Sequence, residues 1–391
     1  MTRFTFRGRV LASPGPGGRR GRVWPAAAAV VTAAAVATMA AGASAAGAGV
    51  ARFQQVNLAS DIPGVAPLTD PDLVNAWGLA ASPGTDQAPG SPLWVSDNGT
   101  DKTTLYAGAT SSSVARVLAV NVTSGAPTGQ VFNPDRAGFF IHDASGNSGS
   151  ALFVFASENG AIDAWNPGVG VTGPGPSTVT ETPVNNGANA VYKGLAIAQA
   201  SDGHTYLYAT NFRSGRVEVY DSSFQPVALP GGLFTDPGIP AGYAPFNIQE
   251  LAGQLFVTYA QRDAALHDDV AGQGRGFVDV FTTDGALIRR LVSHGQLNSP
   301  WGLALAPAGF GGFGGALLVG NFGNGHINAY NPGTGTYLGQ LRGPAGHPVA
   351  IDGLWALRFG NGNAAKTGEL LFSAGPNGEA DGLLGKIIAA G

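Results

Sequence analysis

Trp301-Gly302-Leu303-Ala304, Leu317-Leu318-Val319-Gly320-Asn321-Phe322 and Gly325-His326-Ile327-Asn328-Ala329-Tyr330 follow one another in a single short stretch. Each is a brief apolar run. The third alternates, with Ile327 and Ala329 on one side and Asn328 and Tyr330 on the other, which is the period of a β-strand. Asn331-Pro332-Gly333 then supplies a turn. The same order returns in Lys193-Gly194-Leu195-Ala196, Leu207-Tyr208-Ala209-Thr210-Asn211-Phe212 and Gly215-Arg216-Val217-Glu218-Val219-Tyr220. Shorter echoes begin at Trp77-Gly78-Leu79-Ala80, at Leu152, at Phe246-Asn247-Ile248 and at Gly353-Leu354-Trp355-Ala356. The glycines that open the third strand fall at 160, 215, 276, 325 and 382, with Thr103 in the equivalent place of the first copy. That makes six units.

With a fourth strand such as Ala286–Val292 or Thr336–Leu341, each unit reads as one blade. A sandwich does not account for six copies, and a solenoid would need end units of different composition. The expected fold is all-β, a six-bladed β-propeller. The sixth unit ends after its third strand, while Phe53–Leu58 forms a spare strand ahead of the first unit. Pairing the two would close the ring and remove two sheet edges.

The composition agrees. Charged residues are 12% and hydrophobic residues 44% of the 391, which argues against coiled coils and charged disordered tails. The 61 Gly and 26 Pro suit a turn-rich β fold. With no Cys there are no disulfides, thiolate metal sites or Cys nucleophiles.

Residues 1–45 form a separate region, read as a signal peptide. Arg3, Arg7, Arg9, Arg19, Arg20 and Arg22 precede the uncharged stretch Ala26–Ala41, and Ala43-Ser44-Ala45 offers a cleavage site. The apolar stretch is shorter than the ~20 residues that span a bilayer. Residues 46–391 then form the propeller domain, and the expected location is secreted or periplasmic. The domain keeps 15 basic residues against 25 acidic ones, a net charge of −10, which disfavours nucleic-acid binding. No later run is long enough for a transmembrane segment.

Several strings are similar to a family of secreted bacterial conserved hypothetical proteins with an NHL-like propeller. They are Val56–Gly64, Asp70–Ala80, Trp94–Thr100, Tyr243–Ile248, His267–Gly272 and Asn298–Ala304. The resemblance covers roughly residues 53–388 and implies the fold and an extracytoplasmic location. It implies no established activity, so no catalytic residue is assigned and the chain is expected to be a binding protein before an enzyme.

Propeller geometry selects the candidates for binding. Residues just before the first strand and just after the second lie near one mouth of the channel: Asn75, Asp97, Asn98, Glu158, Asn159, Asn211, Asn247, Tyr259, Asn298 and Asn321. Oxygens from Asp97, Glu158, Asn211 and Asn321 could together hold Ca²⁺, which takes 6–8 such ligands. Asn and Asp also close turns at strand ends, which accounts for the same residues without a ligand. A second candidate is the stretch between Tyr259 and Gly276, far longer than the ~2–5 residues of a hairpin loop, with Arg262, Asp263, His267, Asp268 and Asp269. There His267 could ligate a metal or act as a base oriented by an acid.

Other signals are slight. Gly168–Gly173 fits G-x-G-x-x-G with no helix to follow, and Asn377–Gly382 echoes the start of a Ca²⁺ loop without its final Glu. Trp77, Trp94, Trp165, Trp301 and Trp355 read as core anchors between blades. The expected function is binding of a protein, a glycan or a small ligand on one face. The alternatives are a Ca²⁺-dependent lactonase- or esterase-like hydrolase at the channel mouth, as in lactonases of the gluconolactonase type, and a structural envelope protein.

Overall fold

The computed structural model describes residues 52–84 and 90–390, so the segment read as a signal peptide lies outside the described residues. Six antiparallel sheets surround one channel. Blade 1 holds Ala76–Ala80, Leu93–Asp97, Lys102–Ala107 and Ala115–Asn121, from the channel outward. Blade 4 (Tyr243–Leu251, Gln254–Gln261, Phe277–Phe281, Leu287–Ser293) and blade 5 (Pro300–Leu305, Leu317–Asn321, Ile327–Tyr330, Tyr337–Gln340) repeat that order. The six inner strands touch in cyclic order and close the ring.

The closing blade is built as the spare strand required. Blade 6 joins Leu354–Phe359, Leu370–Ala374 and Leu383–Ala390 to the N-terminal strand Arg52–Ser60. The two chain ends pair antiparallel, Phe53 opposite Ala389 and Gln55 opposite Ile387. Phe53 is fully buried against Phe310 and Phe313 of blade 5, with ring centroids 5.0 and 6.0 Å away. The strand therefore seals its own blade and the seam to the next.

Two blades depart from the repeat. Blade 2 takes its inner strand from Pro127–Phe132, then inserts a small hairpin (Phe140–His142, Ser148–Ser150) before Phe153–Ser157, Ala161–Trp165 and Glu181–Asn185. The unit therefore begins at Pro127 and not at Leu152, because the insertion separates the inner strand from its partner. Blade 3 has only Tyr192–Gln199, Thr205–Asn211 and Arg216–Tyr220. Its fourth strand is reduced to a bridge at Pro226 and one bond from Val227 N–H to the Val219 carbonyl, beyond which Pro230 and Pro240 divert the chain.

The third strands carry a polar residue at one repeated position, filled by Thr104, Asp163, Glu218, Asp279 and Asn328. All but Glu218 are fully buried. Asp163 accepts from Thr182 at 2.6 Å and from the Ser124 hydroxyl, and Glu218 accepts from Asn211 at 2.7 Å and from Tyr192 at 2.5 Å. These bonds tie the third strands of blades 2 and 3 to their neighbours, so in those two blades the repeated polar residue is a latch within the sheet. Close approach of the inner strands explains the repeated Gly. A Cβ at Gly302 would stand 2.6 Å from the Trp355 carbonyl, and one at Gly129 2.6 Å from the Leu195 nitrogen.

Candidate functional site at the channel mouth

Where the inner strands begin, the channel is stopped by aromatic rings. Trp77 stacks on Trp355 at 3.6 Å, Trp355 on Phe322 at 4.0 Å, and Trp301 meets both tryptophans edge-on at 6.1 and 5.8 Å. Three of the five tryptophans among the described residues thus plug the channel. The other two, Trp94 and Trp165, pack between blades 1 and 2 with centroids 4.8 Å apart. The blade 3 residue matching Trp77, Trp301 and Trp355 is Lys193. Its side chain is 3% exposed, and its ammonium lies 5.1 Å over the Trp77 ring and 6.0 Å from that of Phe212.

Charge at that depth requires partners. Lys193 Nζ donates to Glu158 Oε1 from blade 2 and, at 3.3 Å, to Asp268 Oδ1 from the long loop of blade 4. Burial works against the ammonium, but the two carboxylates outweigh it and hold its pKa above the usual lysine value. Lys193 therefore stays protonated at neutral pH and is no amine nucleophile. Asp268 also experiences desolvation, which Lys193 and His267 overcome, so its pKa lies below the usual carboxylate range.

The network runs on across the mouth. Asn98 Nδ2 donates to Glu158 Oε2 at 2.8 Å and Asn75 Nδ2 to Asn98 Oδ1 at 3.3 Å. Asn75 Nδ2 also donates to Glu379 Oε2 at 2.6 Å, on a blade 6 loop. Asn75 Oδ1 accepts from the indole N–H groups of Trp77, at 2.9 Å, and Trp355, at 3.0 Å. To do so its backbone takes a left-handed φ of 46°, a conformation Asn adopts more readily than most residues. At the other end, His267 Nδ1 donates to Asp268 Oδ1 at 2.8 Å. The loop that presents His267 is folded by Asp263, whose Oδ1 accepts from the backbone N–H of His267, and by Asn298, whose Oδ1 accepts from that of Gly272. Five blades contribute to one polar surface above an aromatic floor.

Of the residues expected at the mouth, Asn75, Asn98 and Glu158 join this network, as do His267 and Asp268 of the loop. The expected calcium set is not brought together. Asp97 is fully buried in blade 1, where burial raises its pKa well above the usual value and the nearby Asp70 and Asp72 charges add to the effect. Asn211 Nδ2 donates to Glu218, and Asn321 Nδ2 to the Gln296 carbonyl. Side chains alternate along a strand, so these three turn toward the third strand of their own blade or the adjoining loop, while the following residues, Asn98, Phe212 and Phe322, turn to the channel. The reading was one residue out of register.

The remaining candidates have local partners. Asn159 donates to the Ser124 carbonyl, Asn247 to the Trp301 carbonyl and Arg262 to the Arg213 carbonyl. Tyr259 is buried beside Asp279, and Asp269, partly buried near Ser299, has its pKa raised by burial. Two central residues, Lys193 and Glu379, were missed. The first left a signal, a Lys where three other units have Trp. The second lay in the string set aside as an incomplete Ca²⁺ loop. Among the described residues, Glu158, His267 and Asp268 form a group whose donor atoms all lie within 4.8 Å of one another.

These features define a six-bladed β-propeller with a preformed polar site at one channel mouth. The chain belongs to the same family as two uncharacterized proteins of Acanthamoeba polyphaga mimivirus. One is 33% identical over 325 residues, covering 82% of this chain and 76% of its own, and the other is 32% identical over 82% and 81%. These relatives are viral, where the resemblance pointed to secreted bacterial proteins. No protein-family model matches the chain. Among solved structures, the α-L-arabinanase of Penicillium chrysogenum complexed with arabinobiose is similar in fold, with a TM-score of 0.51, 13% identity, and 86% of this chain and 98% of that one covered. A streptogramin B lyase shows a looser likeness, with a TM-score of 0.40, 12% identity, and 87% and 98% coverage. Among the described residues no helix is long and apolar enough to cross a membrane.

Proposed function

We propose that the protein is an exported binding propeller that takes a small, hydroxyl-rich or cationic ligand, such as a glycan fragment, at the channel mouth. The observation that carries this reading is Lys193. A buried charge in a ring position that blades 1, 5 and 6 fill with Trp and blades 2 and 4 with Thr128 and Phe246 costs stability, and here it holds Glu158 and Asp268 from two other blades in fixed places. Glu158, Asp268, Asp269 and Glu379 outnumber that one ammonium, so the mouth favours neutral polyols and cations over anions. Its acceptors are already aligned, which lowers the ordering cost of binding.

The test is a thermal-shift and calorimetric screen of neutral and cationic saccharides against the wild type, Glu158→Gln and Asp268→Asn. Ligands that stabilise the wild type and lose at least tenfold affinity in both variants support the reading. A screen in which every hit binds both variants as tightly as the wild type refutes it. Export is tested by N-terminal sequencing of protein recovered outside the cytoplasm, with cleavage expected near Ala45; intact Met1 there would contradict the signal-peptide assignment.

A second reading, a metal-dependent hydrolase, rests on the grouping of Glu158, His267 and Asp268. His267 and the two carboxylates fit a divalent cation in donor type, but the Lys193 ammonium shares both carboxylates and competes for the position. Metal analysis after purification without added ions, with melting in the presence and absence of chelator, separates the readings. A stoichiometric ion and a chelator-sensitive Tm favour the hydrolase.

A further inference from the structure

Behind the Trp plug the channel continues as a cavity of about 210 Å³, lined by the inner strands and by Trp301 at its closed end. At the opposite end Arg358, near the end of the blade 6 inner strand, faces the same space. Its guanidinium is partly buried and donates from Nη2 to the Ala81 carbonyl at 2.8 Å, while Nε has no partner among the described residues. Desolvation pulls its pKa down to about 10, and among the described residues no carboxylate offsets that effect. Arg290 and Arg116, by contrast, each pair with aspartates. A desolvated guanidinium beside a cavity, without a counter-ion among the described residues, is a site suited to an anion.

Backbone geometry adds donors. Each inner strand pairs with a second strand on one side only, so alternate N–H and C=O groups of its other edge face the channel. The volume suits a molecule of roughly six or seven heavy atoms, on the scale of ~30 Å³ per water. Glu250 lines the same cavity and adds a negative charge, which disfavours a dianion such as phosphate. Leu79, Val131 and Ile197 give the walls an apolar share that suits a hydrocarbon tail.

We propose that the channel behind the tryptophan plug binds a short-chain organic monoanion, its carboxylate on the Arg358 guanidinium and its tail among Leu79, Val131 and Ile197. A carboxylate matches the fork of a guanidinium with two parallel hydrogen bonds, whereas a halide uses one point of it. The site is independent of the mouth, from which the Trp77, Trp301 and Trp355 rings divide it.

The probe is sodium propionate, titrated into the full chain against sodium chloride at equal ionic strength, with binding followed by calorimetry and ligand-observed NMR. Saturable binding of propionate is expected, weakened at least tenfold by Arg358→Gln and partly by Arg358→Lys, which keeps the charge but loses the fork. Lys193→Met, at the mouth, should leave propionate binding unchanged, so this site and the mouth succeed or fail separately. If the Arg358 variants do not fold, the wild type alone decides. The absence of saturable propionate binding overturns the proposal. So does chloride saturating the site without competition from propionate, or Arg358→Gln binding propionate as tightly as the wild type.

Discussion

Replacing Lys193 by Met tests whether the mouth is held by charge or by packing. Met keeps most of the volume above Trp77 and removes the ammonium. Glu158 is then left with a side chain 13% exposed and Asn98 as its remaining partner. Removing one member of a buried ion pair costs about 3–5 kcal/mol, because the other charge remains uncompensated. The Asp268 contact adds ~0–1 kcal/mol at most, since that side chain is 66% exposed and screened by solvent. A loss of about 3 kcal/mol is expected, or roughly 6 °C in Tm for a domain of this size. The double variant Lys193→Met/Glu158→Gln should recover at least half of it, because an amide can stay buried without a counter-ion. Denaturant melts at neutral pH measure both. Equal destabilisation of the single and double variants would refute the reasoning, since the stranded carboxylate would not be its source. The pH dependence gives a second check. Lys193, with its pKa raised, stabilises at all pH below 10.5 and ceases to do so only as pH climbs through the higher folded value; Asp268, with its pKa lowered, stabilises above 3.8 and ceases as pH falls through the lower folded value. The gap between wild type and Lys193→Met should therefore be level from about pH 5 to 9 and narrow at both extremes.

Three further outcomes follow from the same geometry. Phe53→Ala should cost about 3–5 kcal/mol, since it opens a cavity against Phe310 and Phe313, and deletion of residues 52–58 should abolish the cooperative melt by uncovering the edge of Leu383–Ala390; an unchanged Tm in the deletion would rule out closure by the N-terminal strand. Asn75→Ala should cost roughly 3 kcal/mol and alter tryptophan fluorescence, because two buried indole N–H groups lose their acceptor and Ala must hold a φ of 46°. Burial, reinforced by Asp236, lifts the pKa of Asp279 to about 7 despite Arg290, so the folded state holds its proton and stability falls as pH rises from about 4 to 7; the rise from 3.8 is worth roughly 4 kcal/mol as a ceiling, and Asp279→Asn should therefore gain stability over the wild type at pH 8 and not at pH 4, measured as paired thermal melts.

Fold and site were legible to different degrees because they are written in different signals. Six sheets of the same order impose the same turn and the same alternation on each unit, so the repeat survives in the sequence even where single residues vary. One missing strand and one spare strand then suffice to predict the closure that joins Phe53 to Ala389. What the repeat hides is any strand whose partner lies beyond an insertion, as with Pro127–Phe132, or one supplied by irregular chain, as in blade 3. The site is the opposite case, built where the repeat is broken.

A tryptophan at the head of an inner strand can serve packing alone, so Trp77, Trp301 and Trp355 announce the channel plug and nothing about a ligand. Lys193 puts the one charge into a position held elsewhere by Trp77, Thr128, Phe246, Trp301 and Trp355, and a charge at a repeated buried position is more informative than any residue type by itself. The calcium set failed for a reason of register. Asp97 and Asn98 differ by one position, and the pleat sends the first into the blade and the second to the mouth. Selecting by chemical type favoured the carboxylate, whereas selecting by face would have chosen Asn98 with Glu158. Arg358 obeys the same logic from the other end of the channel. It leaves no mark in the repeat and becomes conspicuous only when three dimensions show a guanidinium beside an open cavity with no carboxylate among the described residues to meet it. In a propeller, then, the residues that carry chemistry are found by asking which repeated position has been given up, and what its replacement faces across the channel.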